Sequence, residues 1–162
     1  MTLPVSDPAV ERLVAEAEIR DVIARYCRGV DDGDYDRVRD CYHPDARHER
    51  GEFAGSGTEI VDWIAGIRDT LIHCWHLVGY PRIESLEGDR AEVETYTLAN
   101  QRLPGRDGGP PVDRLTPCRY LDTFTRVEGR WRIAHRRALY LPAQELPVSP
   151  AVESPDSFSG AG

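Results

Sequence analysis

The sequence predicts an α+β fold in which three N-terminal helices wrap a curved antiparallel sheet and close a conical pocket. Apolar residues recur at helical spacing only up to Leu71, and Val-, Tyr- and Thr-rich runs divided by tight turns fill the stretch from Cys74 to Leu141. A chain of 162 residues suits one domain rather than two. That domain is expected over residues 1–141, with 142–162 as a mobile, pattern-poor tail.

Ser6-Asp7-Pro8 starts the first helix, because the Asp7 carboxylate accepts from first-turn amides and proline is tolerated there. Val10, Leu13, Val14, Ala17, Val22, Ile23, Tyr26 and Val30 then recur at steps of three and four, a stripe that ends at Asp31-Asp32-Gly33. A short second helix from Asp34 to Cys41 packs through Tyr35 and Val38, and Pro44 limits its extension. A strand is expected over Ala46 to Phe53, and Gly55-Ser56-Gly57-Thr58 announces a third helix over Glu59 to Leu71. Two hairpins follow. Cys74 to Ser85 pairs with Arg90 to Leu103 across Glu87-Gly88-Asp89, and Thr116 to Val127 pairs with Arg130 to Leu141 across Glu128-Gly129.

With 40% hydrophobic and 30% charged residues the chain is globular in type, and a net charge of -8 argues against nucleic acid or an anionic membrane as partner. There is no apolar run of about 18 residues and no basic leader with an apolar core, so a cytoplasmic location is expected. Cys27, Cys41, Cys74 and Cys118 match neither a zinc site nor a disulfide framework and are expected as thiols.

Asp31, at the end of the long helix, and His76, inside a strand, are the leading catalytic candidates. A neutral imidazole takes a proton from carbon or oxygen, and a carboxylate on its other nitrogen fixes the tautomer. The competing readings are a solvated acidic turn, shared with Asp32, Asp34 and Asp36, and a structural histidine. Alternation sets Cys74, His76, Val78 and Tyr80 on one strand face. Tyr26, on the helix stripe, offers a phenol; Tyr96 and Asn100 share a face, with an amide able to bind substrate oxygen. Either Arg136 or Arg137 points inward to balance negative charge, the choice depending on a bulge. Val78, Leu98 and Trp75 are expected to shape an apolar pocket. His43, Asp45, His48 and Glu49 straddle Pro44 and are not expected to form a metal site. With no dinucleotide fingerprint, phosphate loop or nucleophile elbow, no cofactor is implied.

The segment Ile19 to Asp36, followed by Cys74-Trp75-His76, Gly88-Asp89-Arg90-Ala91, Arg119-Tyr120-Leu121-Asp122 and Gly129-Arg130-Trp131-Arg132-Ile133, resembles the SnoaL-like and scytalone dehydratase-like proteins of the NTF2-like superfamily over residues 10 to 141. The resemblance implies a lyase using an aspartate-histidine pair, as in scytalone dehydratase, bile-acid 7α-dehydratase and hexachlorocyclohexane dehydrochlorinase. Asp31 and His76 match that pair. Tyr26 matches the helix tyrosine of the bile-acid enzyme, Cys74 resembles a pocket cysteine of the dehydrochlorinase, and Arg136 matches an arginine of the last strand. Val30 and Arg50 stand where scytalone dehydratase has two tyrosines, and Asn100 where it has a second histidine. The implied substrate is a small cyclic, steroid-like or polyketide-like molecule, and the implied assembly a homotrimer. Isomerase, cyclase, ligand-binding protein and small subunit of a ring-hydroxylating dioxygenase are the alternatives on the same fold.

Overall fold

Asp7 accepts a 2.9 Å hydrogen bond from the Ala9 amide and Pro8 occupies the first turn, so helix α1 runs over Pro8–Asp32 in the computed structural model, which describes residues 7–148. Its core-facing stripe is Ala15, Ile19, Val22, Ile23, Tyr26, Cys27 and Val30. Val10, Leu13 and Val14, expected in the same stripe, are at least half exposed, so the first two turns stand clear of the core. Gly33 ends the helix with φ 72°, and the Asp34 amide donates back to the Gly29 carbonyl at 2.8 Å. Gly29 lets the next helix approach: a Cβ there would sit 2.7 Å from a Val38 methyl.

Helix α2 (Tyr35–Asp40) is followed by strands β1 (Tyr42–Arg50) and β2 (Phe53–Ser56), then by helix α3 (Gly57–Arg68), which Ser56 and Glu59 start with a capping box. Pro44 ends no helix; it lies within β1, and the pairing of β1 slips between Tyr42 and Arg47, where proline has no amide to give. The remaining strands are β3 (His73–Val78), β4 (Arg82–Glu87), β5 (Arg90–Leu103), β6 (Val112–Val127), β7 (Arg130–Tyr140) and β8 (Gln144–Pro147).

The expected strand Cys74 to Ser85 is two strands, broken at Gly79-Tyr80-Pro81, which lie one after the other along β5. The sheet order is β2-β1-β7-β6-β5-β3, with β4 on β5 and β8 on β6. All pairs are antiparallel except β1 with β7, so the curved sheet is mixed at that one junction. Gln144–Pro147, expected in a mobile tail, pairs with Val112–Leu115; residues 149–162 lie outside the described part.

Helices α1 and α3 cover the inner face of the sheet, where Ala91, Val93, Cys118, Tyr120, Phe124, Trp131, Ile133 and Ala138 complete the core. No helix among the described residues is long and apolar enough to cross a membrane. All four cysteines are free and buried.

Candidate active site

Strand β3 ends the sheet, so the backbone amides on its outer edge have no strand to bond. The last turn of α1 lies against that edge. Asp31 uses both carboxylate oxygens there: Oδ2 accepts from the His76 amide at 3.0 Å, and Oδ1 lies 2.6 Å from His76 Nδ1. A single carboxylate thus fixes the position of the strand and the rotation of the ring. The His76 and Asp31 side chains are only 9% and 18% exposed. The other acids of the turn face outward and are engaged elsewhere: Asp32 with Arg28 at 2.7 Å, Asp34 with Arg37 at 3.2 Å, Asp36 with Arg39 at 2.9 Å. Asp31 alone of these turns inward, onto His76.

With Nδ1 engaged, Nε2 is the nitrogen His76 has left for the cavity whose wall it forms. That cavity lies between α1, α3 and the inner face of the sheet. Tyr26 and Val30 line it from α1, Ile64, Ile67 and Arg68 from α3, and Arg50 from β1. Leu71, after α3, and Cys74, Ala99, Gln101, Thr116, Cys118, Tyr120 and Tyr140, from the other strands, complete it. Most of the wall is apolar or aromatic, as small-molecule sites usually are.

Beneath the floor lies an ion pair. Arg136 donates to both oxygens of Asp122 at 2.7 Å, both side chains are wholly buried, and the guanidinium carbon sits 4.3 Å from the Tyr26 ring centre and 4.0 Å from that of Tyr120. Burial opposes the charge, but Asp122 outweighs it and holds Arg136 well above the usual arginine range. Burial raises the Tyr26 phenol, with Arg136 pulling the other way, so the hydroxyl keeps its proton. His48, bonded to the Tyr42 hydroxyl at 2.8 Å, is driven down to about 3 by burial and then by Arg136.

Arg136 points inward and Arg137 outward because Ala134 is an unpaired residue between Ile133 and His135, and this bulge reverses the alternation set by Trp131 and Ile133. The arginine nonetheless touches the floor aromatics, not the cavity. Tyr96, Leu98 and Asn100 lie on the outer face of β5, since Thr95, Thr97 and Ala99 take the inner one. Trp75 is also outward, 38% exposed, and Tyr80, past the Gly79 break, is 79% exposed beneath the Arg20 guanidinium. Val78 packs on the core without lining the cavity.

Arg50, Arg68, Tyr120 and Tyr140 line the cavity without having been singled out as site groups from sequence. The identity of Arg50 as the counterpart of a pocket tyrosine was the one available signal. Among the described residues, Asp31, Cys74 and His76 bring three potential metal-ligand atoms within 4.8 Å. Burial, then Asp31, pushes the Cys74 thiol up to about 11, with the sulfur 4.0 Å from Asp31 Oδ1.

A sequence profile of the SnoaL-like domain matches residues 11–137. Among solved structures, hexachlorocyclohexane dehydrochlorinase type 3 from Novosphingobium barchaimii superposes with a TM-score of 0.76 at 19% identity, covering 90% of this chain and 99% of that one. A candidate scytalone dehydratase from Novosphingobium aromaticivorans gives 0.74 at 18%, over 85% and 91%. The β subunit of a candidate aromatic-ring-hydroxylating dioxygenase from the same species gives 0.63 at 21%, over 86% and 95%. No curated protein matches. At these identities the likeness establishes the fold.

Proposed function

Because the chain belongs to the SnoaL-like domain family and turns an aspartate-held histidine toward its cavity, we propose that it is a lyase acting by β-elimination on a small cyclic molecule, as a dehydratase or dehydrohalogenase. The 2.6 Å contact between Asp31 Oδ1 and His76 Nδ1 carries the reading. Nε2 takes a proton from a carbon made acidic by a neighbouring electron-withdrawing group, the C–H electrons form the new double bond, and hydroxide or halide leaves the adjacent carbon. Asp31 fixes the productive tautomer and stabilises the imidazolium formed. Tyr26, held neutral by burial, is placed on the wall to donate a hydrogen bond to substrate oxygen.

The small-subunit alternative rests on a structural likeness weaker than the lyase-type ones. A purely structural subunit has no need of a carboxylate-oriented histidine opening on a cavity. Wild type, His76→Ala and Asp31→Asn incubated with cyclic hydroxy-ketones, hydroxysteroid thioesters and chlorinated rings, with loss of water or hydrogen chloride followed by mass spectrometry, test the reading. Turnover by wild type alone supports it; equal turnover by all three contradicts it, and isomeric products of unchanged mass replace elimination by isomerisation.

The outer face of β3 and β5 exposes Trp75, Leu77 (62%) and Tyr96 (58%), apolar area that a second copy of the chain would cover. A homo-oligomer assembled on that face is part of the proposal.

A further inference from the structure

All twenty basic residues counted as lysine plus arginine are arginines, and sixteen of them pair with a carboxylate. Of the other four, Arg106 and Arg137 are exposed. Arg50 and Arg68 are half-buried, and both line the cavity that His76 lines. Among the described residues, neither of these two guanidiniums has a carboxylate within ion-pair distance. Arg50 stacks 4.2 Å from the Trp63 ring centre and 4.5 Å from that of Tyr140, contacts that leave its N–H donors unfilled. Arg68 donates to the Leu71 carbonyl at 3.3 Å, and its Nε is buried with no partner. No aspartate or glutamate lines the cavity, in a chain whose net charge is -8.

Two part-desolvated guanidiniums without counter-ions are costly unless a ligand supplies the anion. We infer that the molecule bound in this cavity carries an oxyanion, a carboxylate or a phosphate, which Arg50 and Arg68 bind. Planar guanidiniums match either group with paired N–H donors, and the stacked rings hold Arg50 in place for it. The inference deepens the elimination reading by giving its substrate a charged handle. It differs from a role in steadying a developing enolate, which would leave neutral ketones and anions bound equally in the ground state.

Isothermal titration calorimetry with 1-naphthoate, 1-naphthyl phosphate and the neutral methyl 1-naphthoate tests it on wild type, Arg50→Gln, Arg50→Lys, Arg68→Gln and His76→Ala. At least one anion should bind wild type about tenfold or more tightly than the ester, which anion it is telling carboxylate from phosphate. The preference should weaken as salt rises, shrink severalfold in Arg50→Gln and in Arg68→Gln, and survive better in Arg50→Lys. An ester that binds as tightly as both anions, no binding by any of the three, or a preference untouched in folded Arg50→Gln and Arg68→Gln overturns it. His76→Ala separates the two readings: anion preference kept there, with no turnover of any substrate by wild type, would sink elimination alone.

Discussion

Asp31 and Asp122 each hold a basic partner at hydrogen-bond distance, one at the wall of the cavity and one beneath its floor. The lower pair is wholly buried, bidentate and placed between two tyrosine rings, with an arginine that stays charged at any working pH. The upper pair joins its two side chains through one contact and is part-exposed, and its imidazole has a second nitrogen left over. The same carboxylate chemistry therefore yields a fixed brace in one place and, in the proposed elimination, a proton-handling group in the other. The partner's ability to change charge, and its access to the cavity, make the difference.

Breaking the lower pair should have the largest effect on stability. Asp122→Ala strands a buried guanidinium and should cost about 3–5 kcal/mol in urea unfolding, whereas a loss below about 1 kcal/mol would show that water reaches Arg136. The upper pair should behave in the opposite way. His76→Ala should lower kcat/KM by about 10²–10⁴-fold on any substrate that wild type turns over, while unfolding free energy moves by about 1 kcal/mol or less.

His48 sharpens the contrast from the side of the brace. Its folded pKa of about 3 lies below the usual histidine value, so the unfolded chain binds the extra proton first. Stability should therefore be full above about pH 6.5 and fall as pH drops from there toward 3, by up to about 1.4 kcal/mol per pH unit. In His48→Gln, denaturation across that window should lose much of this slope; an unchanged slope would place the acid sensitivity elsewhere. The smallest effect on monomer stability is expected on the outer sheet face. Trp75→Ser with Leu77→Ser should leave the fold intact yet reduce the sedimenting species to the 18.2 kDa monomer, with wild type larger; a monomeric wild type would contradict the assembly.

Much of this was legible in the sequence. The break of the long helix put Asp31 in place, strand alternation set Cys74 and His76 inward, and turn chemistry located both hairpins. The face of β5 was misjudged because polar residues were expected to point at a ligand. Glu92 and Glu94 share the parity of Tyr96, Leu98 and Asn100, and two charges in one register mark it as the outer one. The bulge at Ala134 had no sequence marker, and so left Arg136 and Arg137 open. Arg50 and Arg68 were hidden among eighteen other arginines, since which of them lack a carboxylate is decided by tertiary pairing, not by local pattern.

In the proposed mechanism Asp31 holds His76 with its proton on Nδ1 and its lone pair on Nε2 toward the cavity. Nitrogen-15 NMR of histidine-labelled protein at pH 8, assigned by His76→Ala and repeated on Asp31→Asn, reads this without a substrate. A protonated Nδ1 and a bare Nε2 are expected in wild type, with that preference lost in Asp31→Asn; a proton on Nε2 with Nδ1 bare, or a spectrum indifferent to Asp31, would contradict this tautomer.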